Sequence, residues 1–274
     1  MIKAISGKSF NELFYKGHSF YKLLNLTKKH HNFQYQTSAL NVDHIPLSTC
    51  QCAAGGLYFT YDQYWPDWIR SEHYWIATVL ILDDANVIVE SHHKAKADKF
   101  VLLEPTKLTD FMKPLTEYYC AYILRNQYVF LFVPETHKTE KFIISALQCN
   151  GDIIRYVVNP TTEMQMMSIE KNPKNIMYIE NPAETVQLSV VERNANNIQY
   201  IDKPTMAVQK RAVMKSPHSI HYIRKPCAEA VKIIDDWKKI CNNVSYTKKT
   251  RLIWLRPNGL AEHCGYFLYY LSSM

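Results

Sequence analysis

A repeat of 22 residues runs through the second half of the chain and constrains its fold more than any other feature. Tyrosine recurs at this step, and proline and isoleucine recur in phase with it. The tyrosines are Tyr156, Tyr178, Tyr200 and Tyr222, the prolines are Pro160, Pro182, Pro204 and Pro226, and the isoleucines are Ile154, Ile176, Ile198 and Ile220. Three residue types in register indicate an internal repeat, and a repeat of this length is typical of a stacked helical array.

Residues 181–202 show how one unit of the repeat is expected to fold. The Asn-Pro pair at 181–182 predicts the start of a helix, because a residue before proline leaves the α region and proline is tolerated in a first turn. Val186, Val190 and Val191 then lie on one face of that helix. Equivalent pairs stand at 172–173 and 216–217. Each unit is therefore predicted to contain two helices of about 12 and 8 residues, which depend on neighbouring units for their stability.

Stacked copies of this unit predict an α-solenoid over residues 106–274, with the isoleucines and tyrosines of successive copies forming a continuous inner seam. A less regular copy begins at His137, and the looser pattern after Pro226 indicates a capping unit. The apolar segment 251–270 is expected to pack across the last repeat or to offer a surface to a partner.

Residues 1–105 lack the repeat, and their mixed pattern predicts an α+β domain with four or five strands and one or two helices. The strands are predicted at residues 19–26, 55–60, 75–82, 86–89 and 100–103. Gly55 and Gly56 predict a turn that leads directly into an aromatic strand, since glycine tolerates the backbone angles of a turn.

Residues 20–104 resemble the N-terminal domain that precedes the repeats of many mimivirus-type giant-virus ankyrin-repeat proteins. Leu40, Asn41, the run 55–60 and the run 97–99 match the pattern of that family, and Ala39 stands where the family has glycine. The resemblance implies a viral origin. It implies no particular biochemical activity.

Residues 56–59 (GLYF), together with the strand at 75–82, also resemble the ADP-ribosyltransferase fold. This likeness implies NAD as the cofactor, with Tyr58 stacked on the nicotinamide ring and Glu104 or Glu90 as the catalytic glutamate. Residues 21–24 carry neither the histidine nor the glycine of that family's first strand.

Other catalytic and metal-binding motifs are missing from the sequence. The chain has only 7 glycines against 19 tyrosines, and it contains no Walker sequence, no Gly-x-Ser-x-Gly and no His-Glu-x-x-His. Cys50 and Cys52 lack a second cysteine pair at zinc spacing, so packing in a loop is favoured and no metal site is expected.

Charge and cysteine usage point to a soluble protein inside a cell. Residues 1–105 carry 10 basic and 10 acidic side chains, so the net charge of +7 belongs to the repeat half. Seven scattered cysteines favour a reducing compartment, and no apolar run has the length of a signal peptide or a membrane span. Host cytoplasm or a viral factory is the expected location, without membrane association.

The predicted function is a helical-repeat scaffold that binds a host or viral protein and catalyses no reaction. Two alternatives are an ADP-ribosyltransferase that uses NAD at Tyr58, and an RNA-binding protein whose basic repeat face stacks bases on the tyrosines. The tyrosine does not vary between units, which favours packing between units over base reading. The candidate binding residues are Gly55, Gly56, Tyr58, Tyr178, Tyr200, Tyr222, Arg211, Lys215 and Arg224.

Overall fold

The computed structural model describes residues 3–14, 17–30, 33–50 and 54–246, with side chains as far as residue 239. The chain divides into two compact units between Tyr156 and Val157. An antiparallel sheet and many short helices confirm the mixed α+β class. The sheet ends at Lys107, close to the boundary expected after residue 105, and that domain boundary stays a prediction.

The first unit is organised around the sheet. The strands are β1 (Ile5–Ser6), β2 (Phe20–Asn25), β3 (Lys29–His30), β4 (Phe33–Gln34), β5 (Ala39–Val42), β6 (Leu57–Tyr61), β7 (His73–Leu80), β8 (Asn86–Ser91), β9 (Lys94–Ala97), β10 (Lys99–Leu102) and β11 (Thr106–Lys107). Nine of them form one sheet in the order β1-β8-β9-β6-β2-β7-β10-β5, with β11 on β7, and β3 and β4 form a separate hairpin. The expected four or five strands fall short of this number because several strands have only two to four residues, too few for a periodic signal.

Short helices complete the first unit. The α-helices are α1 (Gly7–Phe14), α2 (Leu108–Met112), α3 (Tyr119–Arg125), α4 (Val129–Phe132) and α5 (Glu140–Cys149), and the 3-10 helices are Trp65–Trp68, Lys113–Tyr118, Glu135–His137 and Gly151–Tyr156. The copy of the repeat expected from His137 corresponds to α5 and the 3-10 helix that follows it.

The sheet buries a different set of side chains on each face. Phe20 of β2 and Phe59 of β6 lie on one face, where they contact Phe10 of α1 with ring centroids 5.1 and 5.7 Å away. On the other face Tyr21 packs edge-on against Phe111 of α2 at 5.4 Å. Alternation along the strands thus gives the sheet an aromatic core on one side and a helix-covered surface on the other.

The turn before β6 forms as the glycine pair predicts. Gly55 and Gly56 have φ angles of +92° and +102°, which only glycine adopts easily. A Cβ atom on Gly55 would lie 2.0 Å from the Pro46 carbonyl oxygen. Substitution of Gly55 would therefore disturb the entry to β6.

The second unit repeats one pattern, an α-helix of ten residues followed by a 3-10 helix of six. The α-helices are α6 (Thr162–Lys171), α7 (Glu184–Arg193), α8 (Met206–Lys215) and α9 (Ala228–Tyr246), and the 3-10 helices are Pro173–Tyr178, Ala195–Tyr200 and Pro217–Tyr222. Helix α9 is longer, at 19 residues, and stands where a cap is expected. The segment 251–270 lies outside the described residues.

The predicted helix start at 181–182 is wrong by two residues. Helix α7 begins at Glu184, and the equivalent helices α6 and α8 are capped by the hydroxyls of Thr161 and Thr205. The other Asn-Pro signal, at 172–173, caps a 3-10 helix, with the Asn172 side chain accepting a hydrogen bond from the backbone N–H of Lys174. Each α-helix begins two residues after its proline, with a threonine cap in α6 and α8 and with Ala183 at that position in α7.

A ladder of buried glutamines joins successive repeats. Each side-chain Nε2 donates to a proline carbonyl five residues earlier, and each Oε1 accepts from a backbone N–H 18 residues later. The donors are Gln165, Gln187 and Gln209, the carbonyls belong to Pro160, Pro182 and Pro204, and the N–H groups belong to Ala183, Thr205 and Cys227. One amide thus satisfies a backbone group in its own repeat and one in the next. These hydrogen bonds are a specific polar contact through which neighbouring repeats stabilise each other.

Within the part of the chain that the structure describes, no helix combines the length and the apolar character that crossing a membrane requires.

Candidate functional site

Tyr58 belongs to a buried polar cluster on the sheet. Antiparallel pairing places Tyr58 of β6 opposite Lys96 of β9, on the same face. The Tyr58 hydroxyl donates to Glu90 Oε1 at 2.8 Å. Lys94 Nζ and Lys96 Nζ lie 3.0 and 3.2 Å from the Glu90 carboxylate, and the Lys96 side chain is fully buried. The cluster therefore contains two lysines and one carboxylate, and the neutral Tyr58 hydroxyl donates to that carboxylate.

Glu90 is ionised in this setting. Burial alone would raise the pKa of its carboxyl, but hydrogen bonds from Tyr58, Lys94 and Lys96 outweigh burial and hold the pKa below its usual value. A carboxylate that already accepts from three donors is a weak proton acceptor. The cluster therefore stabilises the sheet and fixes the position of the Tyr58 ring.

The structure brings Tyr58 into contact with one of the two glutamates that the NAD hypothesis names. Glu90 accepts a hydrogen bond from the Tyr58 hydroxyl, whereas Glu104 follows β10 and accepts from the Ser38 hydroxyl at 3.1 Å. Lys94 Nζ lies 4.1 Å from the centroid of the Tyr58 ring. The nicotinamide ring of NAD is positively charged and would compete with Lys94 for the same aromatic electrons. A catalytic role for Tyr58 and Glu104 stays a prediction.

Strand β6 borders a cavity of about 370 Å³ at a split in the sheet. Strands β2 and β6 pair at only two positions, Phe20 with Tyr61 and Tyr21 with Thr60. Beyond these positions β2 stays with β7 and β6 stays with β9, so the two strands diverge. The cavity is lined by Tyr21, Lys22, Leu23, His30, Tyr58, Phe59, Thr60, Trp68, Arg70, Glu72, His73 and Lys94.

Burial strongly lowers the pKa values of two titratable side chains in this cavity. Lys22 is 5% exposed, and burial together with the charge of Lys94 lowers its pKa to about 7. Burial lowers the pKa of His73 to about 4, and His73 Nδ1 accepts a hydrogen bond from the backbone N–H of Arg70 at 3.0 Å. His73 is therefore neutral at pH 7, whereas Lys22 changes charge close to pH 7.

The glycines predicted as binding residues have a positioning role in the structure. The backbone N–H of Gly56 donates to Asp43 Oδ2 at 2.8 Å. A Cβ atom on Gly56 would approach the Lys96 side chain to 3.0 Å. Gly55 and Gly56 thus set the entry to β6 and make room for Lys96, and among the described residues they do not line the cavity.

The repeat tyrosines are more exposed than the isoleucines of the same repeats. Ile176 and Ile198 are buried, whereas Tyr178 and Tyr222 are exposed and Tyr200 is half-buried. The isoleucines therefore belong to the buried part of each repeat, and packing of the tyrosines between units stays a prediction. Lys174 Nζ lies 5.7 Å from the centroid of the Tyr200 ring, and His218 packs edge-on against Tyr222 at 5.6 Å.

The cations predicted to bind a partner are engaged across repeats. Arg211 and Lys215 both pair with Glu192 of the preceding helix, and Lys215 Nζ lies 3.8 Å from that carboxylate. Arg224 Nη1 lies 3.5 Å from Asp202 Oδ1, one repeat earlier. These exposed pairs lower the positive charge that the repeat surface offers to phosphate groups.

A groove recurs along the repeats, and sequence reasoning missed it. One cavity of about 120 Å³ is bordered by Ile179 and Pro182, and a second of about 490 Å³ is bordered by their equivalents Ile201 and Pro204. Met177, Asp202 and Lys203 line both cavities, so the two adjoin. The only sequence signal was the 22-residue spacing of these positions.

Among the described residues, no group of three His, Cys, Asp or Glu side chains is placed to hold a metal ion. Comparison with known proteins found no matching family model, no matching curated protein and no matching solved structure.

Proposed function

We propose that this chain is an interaction protein whose repeats form an α-solenoid and hold an extended segment of a partner protein. The observation that carries the proposal is the groove that recurs at equivalent positions of successive repeats and is continuous through Met177, Asp202 and Lys203. Stacked repeats expose one long surface, and a groove repeated along it suits an extended ligand. No reaction of the chain's own is part of the proposal.

The lining of the groove favours a peptide. Met177, Tyr200 and Tyr222 supply apolar and aromatic contacts, and Lys203 and Asp202 supply charges of both signs. Aromatic side chains and methionine are enriched in protein interfaces. A peptide can place apolar side chains against the methionine and the tyrosines, and charged groups against the lysine and the aspartate.

A nucleic acid suits this surface less well. Binding to phosphates depends on cations that release counterions when they meet the ligand. Arg211, Lys215 and Arg224 already pair with carboxylates of neighbouring repeats. RNA would have to displace these pairs, whereas a mixed peptide need not.

The likeness of residues 20–104 to giant-virus ankyrin-repeat proteins supports a host or viral protein as the partner. In those proteins a similar domain precedes repeats, and repeats of this kind act as protein-binding surfaces.

Peptide selection on the intact chain tests the proposal. Peptides from a random display library are selected, and their affinities are measured for the wild-type chain and for Tyr200→Ala, Tyr222→Ala and the matched control Tyr118→Ala. Tyr118 is 47% exposed and lies in the first unit. We expect each groove variant to weaken binding at least about fivefold, because a central aromatic contact contributes more than about 1 kcal/mol, and we expect the control to bind normally. Equal binding by all variants would contradict the proposal.

RNA provides the competing outcome. A structured and an unstructured RNA are titrated at low and moderate salt, and the repeat surface is expected to bind both weakly. Tight binding that falls steeply with salt and weakens in Tyr200→Ala would favour the RNA alternative.

A further inference from the structure

We propose that the cavity between β2 and β6 is a binding site for a small organic anion that carries a planar ring, with Lys22 receiving the acid group. The proposal is independent of the repeat groove, because every residue that lines this cavity belongs to the first unit.

Lys22 is the central observation. It lines the cavity, is 5% exposed, and forms no ion pair with any carboxylate of the described residues. Its Nζ lies 3.5 Å from His30 Nδ1 and 4.8 Å from the centroid of the Tyr35 ring. A buried ammonium group without a counterion is unfavourable. An anion in the cavity supplies that counterion.

The remaining charges of the lining favour an anion as well. Arg70 donates to the backbone carbonyls of Asp67 and Ile69, and no carboxylate of the described chain forms an ion pair with it. Lys94 adds a further positive charge, shared with Glu90, which is not part of the lining. Within the described lining, Glu72 is the one carboxylate. Positive groups therefore outnumber negative ones around the cavity.

Aromatic side chains of the lining indicate a flat ligand. Tyr21, Tyr58 and Trp68 all border the cavity, and Trp68 also lies near the Lys94 ammonium, at 5.6 Å. The indole Nε1 of Trp68 is buried and has no hydrogen-bond acceptor among the described residues. A ligand atom that accepts a hydrogen bond would satisfy this donor. A volume of about 370 Å³ lies in the usual range for small-molecule sites.

Binding should be coupled to a proton. The groups that face Lys22 are His30, His73, Lys94, Arg70, Glu72 and the ring of Tyr35. Burial and Lys94 lower the pKa of Lys22 to about 7, and a bound anion raises it, so the complex takes up a proton above pH 7. His73, with a pKa of about 4, stays neutral in this range. Affinity should therefore fall by up to about tenfold for each pH unit above the pKa of Lys22.

Calorimetry with three probes tests the site. AMP has an acid group and a ring, adenosine has only the ring, and inorganic phosphate has only the acid group. We expect AMP to bind at least about tenfold more tightly than either of the others, and Lys22→Met to weaken AMP by at least about tenfold. Lys99→Met is the matched control, since Lys99 pairs with Asp84 away from the cavity. The proposal is overturned if AMP does not saturate the wild-type chain at millimolar concentration, if adenosine binds as well as AMP, or if Lys22→Met binds AMP like the wild type.

Proton uptake by the wild-type chain tests the role of Lys22 without the need for a substituted protein that folds. AMP is titrated into the wild-type chain at about pH 8 in two buffers of different ionisation enthalpy. The expected result is uptake of about one proton per AMP, after correction for protons that the phosphate group of AMP itself gains or loses on binding. Uptake that is zero in the wild type overturns the role of Lys22.

Chemical trapping locates the amine directly. Pyridoxal 5′-phosphate carries a phosphate, a planar ring and an aldehyde, and the neutral Lys22 amine condenses with that aldehyde to an imine with loss of water. Borohydride then adds hydride to the imine carbon and leaves a stable secondary amine that peptide mass spectrometry can map. We expect Lys22 to be the main labelled lysine at neutral pH and AMP to protect it. Labelling that spares Lys22, or that AMP leaves unchanged, overturns the proposal.

Discussion

Replacement of one glutamine of the ladder tests how the repeats are held together. Gln187 is 4% exposed; its Nε2 donates to the Pro182 carbonyl at 2.9 Å, and its Oε1 accepts from the Thr205 N–H at 3.2 Å. Gln187→Met preserves the length and the volume of the side chain but removes both hydrogen bonds. The change therefore isolates the polar contact from the packing.

The expected cost follows from the two backbone groups left without a partner. An unsatisfied buried donor or acceptor costs about 1–3 kcal/mol, and both groups here are only partly buried. We therefore expect a loss of about 1–3 kcal/mol for the pair together, near the low end of the range for each group. The loss should concentrate at the junction of α7 and α8.

Urea unfolding and amide hydrogen exchange measure this effect. Gln199→Met is the control, because Gln199 is exposed and, within the part of the chain that the structure describes, its side chain bonds only to the Asn196 carbonyl of its own 3-10 helix. We expect the Thr205 amide to lose protection in Gln187→Met and to keep it in Gln199→Met. If both variants unfold at the same urea concentration with the same exchange pattern, the ladder is not what joins the repeats.

Three further outcomes follow from the sheet cluster. Glu90→Gln leaves the fully buried Lys96 without a carboxylate and should destabilise the chain by about 3–5 kcal/mol in urea unfolding, whereas exposed Glu104→Gln should change stability by less than about 0.5 kcal/mol. The folded-state pKa of Glu90 lies below its ordinary value of 4.5, so its stabilising contribution is complete above that value and is lost as the pH falls through the lower folded pKa. Thermal unfolding measured across the acid range should therefore show a smaller fall in the melting temperature with falling pH in Glu90→Gln than in the wild type. Incubation with labelled NAD and a cell lysate should transfer no label, since Glu90 is engaged by Tyr58 and two lysines; transfer that Tyr58→Ala abolishes would instead support the ADP-ribosyltransferase alternative.

The repeat and the glycine turn were open to prediction because their causes are local. A 22-residue step is visible in any alignment of the chain with itself. Gly55 and Gly56 predict a turn because glycine, which has no side chain, tolerates positive φ angles. The start of α7 was missed because Thr161 and Thr205, not the prolines, mark the equivalent helix starts. Ala183 stands at that position in α7 and hides the pattern.

The cavity depends on contacts that no local pattern encodes. It exists because β2 leaves β6 after two residue pairs, although the two strands are neighbours in the sheet. One signal for Lys22 was nevertheless present: alternation along β2 places it on the same face as the buried Phe20 and Leu24. A lysine between two core positions of a strand is a candidate for a buried amine.

The glutamine ladder was missed for a different reason. Gln165, Gln187 and Gln209 keep the 22-residue step as strictly as the prolines do. Glutamine is mostly a surface residue, so its periodicity attracted no structural interpretation. Burial is favourable here because both ends of each amide meet a backbone group.

Amide chemical-shift mapping of the intact chain with a selected peptide tests the proposed function most directly. We expect shifts that recur at the 22-residue step, around residues 177–182, 199–204 and 221–225, and that are absent from the sheet strands. Shifts confined to the sheet, or to a single repeat with no counterpart in the next, would contradict it.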